Sequence, residues 1–283
     1  MPRIAGLAVA LLMILGFAIP AAAGDGPKHG HDNSTLYATG RIGTVLLAID
    51  VEKGTTTVIG PTGQPGSAAL AITLDGKSAY TVVKSVMGFP PGVTGADAQL
   101  AKIDLATGAA TLVGGLMGGN LSVMGLTFAP NGVLYAAGDF DPASPTFNSL
   151  YTIDLTTGLA TRVGSLGTGS TRSNFIMSFT WDSQGNMFGA SRMALYRINR
   201  HRTTNAATKV VDFVGSSNVM GISMANGSLY AADFVGPLPT ASNIYTVNIE
   251  TGLLTPIFNT GIAFVHNIGF NSERERQGND END

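Results

Sequence analysis

The sequence predicts an all-β fold, a five-bladed β-propeller made of four-stranded antiparallel blades. Three observations predict it. Four kinds of short apolar segment each recur five times, turn residues separate them, and the repeats are spaced at roughly 40–55 residues, as propeller blades are. The composition agrees, because 37 of 283 residues are glycine and only 12% are charged. Such a composition is typical of β proteins with many tight turns.

The repeating unit is clearest at residues 123–167, where we label its apolar segments a to d. Segment c carries the plainest signature. Its copies read LLAID (46–50), LAKID (100–104), LYTID (150–154), LYRIN (195–199) and IYTVN (244–248). An aromatic residue recurs in segment b, at Tyr37, Tyr80, Tyr135, Phe188 and Tyr230. We expect this aromatic set to pack between blades, as core residues of a repeat protein do.

The order of the segments predicts how the ring closes. The first full segment is a b segment at Leu36, and the last is an unaccompanied a segment at residues 265–270. The C-terminal strand can therefore complete the N-terminal blade, which leaves no blade with a free interface. An open solenoid is the alternative, and the matched incomplete ends argue against it.

The c–d turns have a simple mechanical explanation. Four copies begin with Asp50, Asp104, Asp154 and Asn248, and each has a glycine four residues later. The side-chain oxygen can accept hydrogen bonds from turn amides, and the glycine supplies a positive φ. The fourth copy in chain order, residues 199–203, lacks the glycine, so we expect a longer turn there.

The N-terminal sequence predicts an exported protein. Residues 1–23 have the charged start, apolar run and small-residue end of a signal peptide, with cleavage after Ala23; an uncleaved membrane anchor is the alternative. We expect a flexible segment at 24–34, one propeller domain at 35–271 and a disordered charged tail at 272–283. The mature protein would be secreted or periplasmic, with no further membrane span, and a monomer. The net charge of −3 disfavours nucleic acid as a partner.

Segment d follows each c–d turn, as in TTTVIG (55–60), AATLVG (109–114) and LATRVG (159–164). With these segments the repeat unit resembles secreted bacterial propellers of the YVTN/YncE-like type, whose blades carry a similar "LYxID…TG…T…iG" pattern. The resemblance covers about residues 36–271. It implies the fold and export. It does not imply a particular activity, because similar propellers include binding modules, scaffolds, lyases and lactonases. Function must be argued from the site itself.

Two sets of residues are candidates for a site. Connectivity places the b–c loops and d–a loops on one face, where function would be expected. The first set lies near the channel mouth: Met124, Met177, Met220 and His266 at equivalent positions, with Asn174 and Asn218 just upstream of two of them. The methionines could hold an apolar ligand or Cu(I), or simply fill the channel. His266 could be a buried structural histidine or a general base.

The second set consists of Asp139 and Asp233, which follow equivalent b segments. With loop carbonyls they could bind Ca²⁺, or they could cap their own loops, which we favour. The other acidic residues fall mainly in turns on the opposite face or in the tail, so no carboxylate pair for catalysis is evident. We therefore predict no catalytic residue, no bound metal and no required cofactor, with Ca²⁺ as the one ion that the pattern could accommodate.

The hypothesis favoured by the sequence is a non-enzymatic exported propeller that binds a ligand or protein partner through its loop-rich face. A metal-dependent enzyme of the lyase or lactonase kind is the first alternative, with His266 as general base and Asp139 or Asp233 near a metal. Lectin-like carbohydrate binding is the second. It would require similar groups on every blade, whereas the loops are unequal in length.

Overall fold

A computed structural model describes residues 35–64, 66–84, 95–119, 121–216, 218–235 and 241–270, which all belong to one compact unit. Parts of the two long loops predicted at 84–99 and 233–243 lie outside these residues. So do the predicted signal peptide, the segment 24–34 and the tail. No helix in the described part of the chain is long and apolar enough to cross a membrane.

The described residues form twenty strands in five four-stranded antiparallel sheets, which we number as blades 1 to 5. Blade 1 contains β1 (Thr35–Gly40), β2 (Val45–Asp50) and β3 (Thr55–Pro61). Blade 2 contains β4 (Ala71–Ile72), β5 (Ser78–Val83), β6 (Gln99–Asp104) and β7 (Ala110–Leu116). Blade 3 contains β8 (Gly125–Phe128), β9 (Leu134–Gly138), β10 (Ser149–Ile153) and β11 (Ala160–Ser165). Blade 4 contains β12 (Ser178–Trp181), β13 (Met187–Ala190), β14 (Ala194–Ile198) and β15 (Ala207–Asp212). Blade 5 contains β16 (Val219–Ala225), β17 (Ser228–Asp233), β18 (Asn243–Val247) and β19 (Leu254–Asn259), and β20 (His266–Phe270) returns to blade 1.

The ring closes as the segment order predicts. Strand β20 pairs antiparallel with β1, so that Leu36 lies opposite Phe270 and Tyr37 opposite Gly269. The five a strands β4, β8, β12, β16 and β20 each contact the next one around the centre of the ring. Both the count of five blades and closure by the C-terminal strand are therefore confirmed.

The c–d turns are built as the sequence predicts. The Asp154 carboxylate accepts hydrogen bonds from the amides of Thr156 and Thr157, and Asp50, Asp104 and Asn248 accept equivalent bonds. The turn of blade 4 is longer, running from the end of β14 at Ile198 to the start of β15 at Ala207. Asn205 takes the left-handed conformation there, with φ of 48°, a conformation that asparagine tolerates better than most residues.

Neighbouring blades meet where the outer strand of one blade touches the c–d turn of the next. The amide of Ser165 in blade 3 donates to the Thr203 carbonyl of blade 4, at 3.0 Å. Val214, just after β15, likewise donates to Gly252 in the turn of blade 5, at 2.9 Å. A Cβ atom at Gly252 would overlap the carbonyl oxygen of Asp212. The close approach of two backbones therefore requires glycine at this position.

Apolar side chains fill the spaces between blades. Tyr80 of blade 2 meets Phe128 of blade 3 edge-on, with ring centroids 5.6 Å apart. Tyr135 of blade 3 lies 6.5 Å from Trp181 of blade 4. These two contacts show members of the recurring aromatic set packing between blades, as expected, and such aromatic pairs stabilise beyond the area that they bury.

Candidate functional site

The b–c loops and the d–a connections lie at the same end of the ring, which we call the loop face. The amide of Arg41 in the β1–β2 loop donates to Ala263 in the β19–β20 connection, at 3.0 Å. In the same way Leu166 donates to Asn148, and Phe234 to Asn218. The predicted sharing of one face is correct, and these backbone hydrogen bonds hold the loops together.

The side chain of Asn267 closes the central channel just below this face. Its amide nitrogen lies 2.7 Å from the carbonyl oxygen of Ala68, 2.6 Å from that of Met124 and 3.2 Å from that of Met177. These carbonyls belong to blades 2, 3 and 4, whereas Asn267 belongs to blade 1. The residue is 1% exposed and sits at a bulge in β20 with φ of 44°. One carboxamide thus ties four blades together at the axis.

The three candidate methionines line the core around the Asn267 side chain, which we call the plug. Met124, Met177 and Met220 are all buried, in one cluster with Ala68 and Phe175. Their backbones, not their sulfur atoms, provide the polar contacts, since the carbonyls of Met124 and Met177 accept from Asn267. This packing corresponds to the reading in which the methionines fill the channel.

His266 is buried beside the channel, at 4% exposure, with its ring edge-on to Phe234 at 4.9 Å. Burial lowers the pKa of His266 to about 4, and the nearby positive charge of Arg192 lowers it further, while a hydrogen bond with the Ala68 carbonyl opposes the shift. Its Nδ1 has no hydrogen-bond partner among the described residues. The imidazole is therefore neutral at pH 7.

Because His266 is buried in its neutral form, the free energy of unfolding depends on pH. The folded-state pKa lies below the unfolded value of 6.5, so the unfolded chain binds the proton first and stability is lost as pH falls from about 6.5 towards 4. Between pH 7 and pH 5 we expect this residue to cost about 1–2 kcal/mol of unfolding free energy, measured by urea denaturation. His266→Gln should reduce the slope. An unchanged slope in His266→Gln would contradict the assignment.

The two candidate carboxylates are engaged by their own loops. Asp139 has a φ of 66°, and its carboxylate accepts hydrogen bonds from the hydroxyls of Ser144 and Thr146. Asp233 accepts from the amide of Asn243 at 2.6 Å and from the hydroxyl of Tyr245 at 2.6 Å. These bonds correspond to loop capping. The described residues contain no group of three or more His, Cys, Asp or Glu placed to hold a metal ion.

Asp233 also acts on Tyr245. Burial, the hydrogen bond from the phenol to the Asp233 carboxylate and the charge of that carboxylate together raise the pKa of Tyr245 to about 12. The phenol therefore stays protonated and remains a hydrogen-bond donor at neutral pH. The carboxylate and the phenol fix the end of β17 against β18.

The two candidate asparagines also hold loops. The carbonyl of Asn174, at the end of a short 3-10 helix (Arg172–Asn174), accepts a hydrogen bond from the side chain of Asn148 at 3.3 Å. Asn218 bonds the backbone of Phe234 twice: its carbonyl accepts from the Phe234 amide at 2.9 Å, and its side chain donates to the Phe234 carbonyl. Asn218 therefore positions the Phe234 ring.

The structure assembles a rim that the sequence reasoning did not single out. We define the rim as Phe140, Arg172, Arg192, Phe234 and Phe264. The guanidinium of Arg172 lies 5.2 Å from the Phe140 ring centroid, and the rings of Phe234 and Phe264 are 4.7 Å apart. The three phenylalanines and Arg192 are half-buried, and Arg172 is exposed.

Arg192 is the central member of the rim. It lies in the short β13–β14 loop, between the long loops of blades 3 and 5. Burial lowers the pKa of Arg192, and the positive charge of Arg172 lowers it further. Arg192 in turn affects His266. Arg172 lies over the Phe140 ring, and His266 lies edge-on to the Phe234 ring. The sequence clue to Arg192 is the shortness of its loop, which leaves it between two longer loops.

No protein-family model matches the chain, and no curated protein matches it. Solved structures do match. A chain of a nidogen/laminin complex has a TM-score of 0.54 and 11% identity, over 84% of this chain and 98% of that one. A protein of unknown function from Bacteroides thetaiotaomicron has a TM-score of 0.52 and 16% identity, over 86% of this chain and 63% of that one, so this chain spans less than two thirds of it. These likenesses support the propeller fold alone.

Proposed function

We propose that this chain is an exported, non-enzymatic propeller that binds a ligand or protein partner through its loop face. The observation that carries the proposal is the rim, where the Arg172 guanidinium lies over the Phe140 ring and the rings of Phe234 and Phe264 are 4.7 Å apart. Half-buried aromatic rings provide apolar contact area at low entropic cost, and guanidinium groups pair with carboxylates. The rim suits a ligand that combines an apolar or aromatic part with an anionic group.

Three features favour binding over catalysis. Asp139 and Asp233 already accept hydrogen bonds from their own loops. His266 is buried, and the side chain of the adjacent Asn267 is bonded to backbone carbonyls of three other blades. A general base must reach the proton that it abstracts, and these contacts hold the candidate groups away from the surface. In this proposal no metal is required, and Ca²⁺ is not part of the binding site.

Binding at the rim can be tested with 3-phenylpropionate as the probe, followed by NMR of protein labelled at the methionine methyl groups. Met193, which adjoins Arg192 and is exposed, and the buried Met220 are the reporters. We expect both methyl signals to shift in the wild type, with shifts at least several-fold smaller in Arg192→Gln and Phe234→Ala. Lys102→Ala, on the outer part of blade 2, is the control. Shifts that persist in Arg192→Gln would refute binding at the rim.

The enzymatic alternative has its own test. The protein would be incubated with Ca²⁺ and dihydrocoumarin, a lactone whose opening is followed by absorbance. We expect no turnover above that of buffer. Turnover by the wild type that is lost in His266→Ala would overturn the non-enzymatic proposal and favour the lactonase-like one.

A further inference from the structure

Blade 4 carries a second feature, at the end of the ring opposite the loop face. Its longer c–d turn and the adjacent a–b turn enclose a groove of about 480 Å³. Four cationic side chains and one histidine line it: Arg197, Arg200, His201, Arg202 and Lys209. This concentration is notable in a chain of net charge −3 that has only 16 lysines and arginines. No aspartate or glutamate is among the lining residues, all of which the structure describes.

Several contacts orient the cations of this groove. The guanidinium of Arg197 donates to the side-chain oxygen of Asn186. Arg200 lies over the ring of Trp181, with its guanidinium carbon 5.5 Å from the ring centroid. Stacking of this kind fixes the plane of a guanidinium and leaves its edge N–H groups available. Two of the arginines are therefore oriented before any ligand arrives.

The other charged side chains of the groove are exposed or already paired. Lys209 forms an exposed ion pair with Asp212, at 2.9 Å, so part of its charge is already compensated. Arg202 and His201 are exposed in the turn. The volume of the groove falls within the range of small-ligand sites. Size and charge together therefore favour a compact ligand with several negative groups.

We propose that this blade 4 groove binds an oligoanion that carries two or more phosphate or sulfate groups. Guanidinium groups form paired hydrogen bonds with the oxygens of such groups, and several cations around one groove favour a multivalent anion over a single ion. The proposal is independent of the rim, because the two sites lie at opposite ends of the ring.

Blade 2 offers a matched control. Lys102 lies opposite Tyr80 and Thr111 in its sheet, just as Arg197 lies opposite Phe188 and Thr208. Lys102 is therefore a cation in the same strand position of a blade whose c–d turn, at residues 105–107, carries no basic residue. Lys102→Ala should lower the affinity for the oligoanion only if binding reflects the overall charge of the protein.

Isothermal titration with two probes would test the groove: inositol hexakisphosphate for phosphate groups and sucrose octasulfate for sulfate groups. We expect at least one probe to bind the wild type, and affinity to fall with added salt. The double variant Arg200→Ala/Arg202→Ala should bind about a hundredfold more weakly, because each lost charged hydrogen bond costs about one factor of ten. Lys102→Ala should remain within about twofold of the wild type.

Since Arg200 packs on Trp181, Arg202→Glu serves as a second variant at an exposed position where folding is not at risk. It should also weaken binding about tenfold, with an unchanged melting temperature. Tighter binding of one probe would show whether the groove prefers phosphate or sulfate groups. The proposal fails if neither probe binds, if Arg202→Glu binds as the wild type does, or if Lys102→Ala loses as much affinity. None of these results would alter the outcome at the rim.

Discussion

Replacing Asn267 with alanine should lower the free energy of unfolding by about 3 kcal/mol or more, one of the largest effects of any single substitution in this chain. The change removes the amide that donates to the carbonyls of Ala68, Met124 and Met177 in a buried site. Buried carbonyls without donors keep their full desolvation penalty. For a domain of this size the melting temperature should fall by roughly 10 °C. Urea denaturation and thermal melts would measure both quantities.

Two further substitutions at Asn267 separate the causes. Asn267→Gly also loses the amide but tolerates the φ of 44°, so its difference from Asn267→Ala isolates the backbone contribution, about 1 kcal/mol. Asn267→Asp must be protonated to donate a hydrogen bond, so its deficit relative to the wild type should be smaller at pH 4 than at pH 7. If Asn267→Ala unfolds within 0.5 kcal/mol of the wild type (roughly the size of a neutral surface change), the plug does not stabilise the ring.

Replacing Gly252 with alanine should cost about 3 kcal/mol and weaken the contact between blades 4 and 5. The added methyl group would overlap the carbonyl oxygen of Asp212, so the c–d turn of blade 5 would have to move away from β15. The move would strain the hydrogen bond from the Val214 amide to Gly252. Overpacking of this kind costs typically 1–3 kcal/mol, and the positive φ adds to it.

Gly185 provides the matched control for Gly252. Its φ of 78° is close to the 72° of Gly252, but a Cβ atom there would meet no other atom within 4 Å. Gly185→Ala should therefore cost only the conformational term, about 1 kcal/mol. Equal losses in both variants would show that the contact between the blades contributes nothing to stability.

The ring could be predicted from sequence because its evidence is local and repeated. Four of the five c–d turns can be recognised within about five residues of sequence, as Asp154 and Gly158 show. Loop capping by Asp139 and Asp233 was favoured for the same reason, since each carboxylate is bonded within its own b–c connection.

The plug and the rim could not be predicted, because their partners come from distant parts of the chain. Asn267 bonds carbonyls that lie 199, 143 and 90 residues away in sequence. Nothing near position 267 indicates that its side chain points along the axis. Alignment of the repeats drew attention to the preceding residue, His266, and to the methionines, which the structure shows to be buried. Segment a of blade 2 also pairs over only two residues, Ala71 and Ile72, fewer than its apolar run indicates.

The pairing of β20 with β1 also sets the order in which the domain can be completed. Thr39 and the carbonyl of His266, joined by a hydrogen bond of 2.9 Å, are 227 residues apart in sequence. Blades 2 to 5 draw their strands from continuous stretches of chain and can form as they are synthesised, whereas the first blade must wait for the last strand. Long-range pairing of this kind slows folding. Blade 1 is therefore the last blade to be completed, and the ring can close only after β20 has been made.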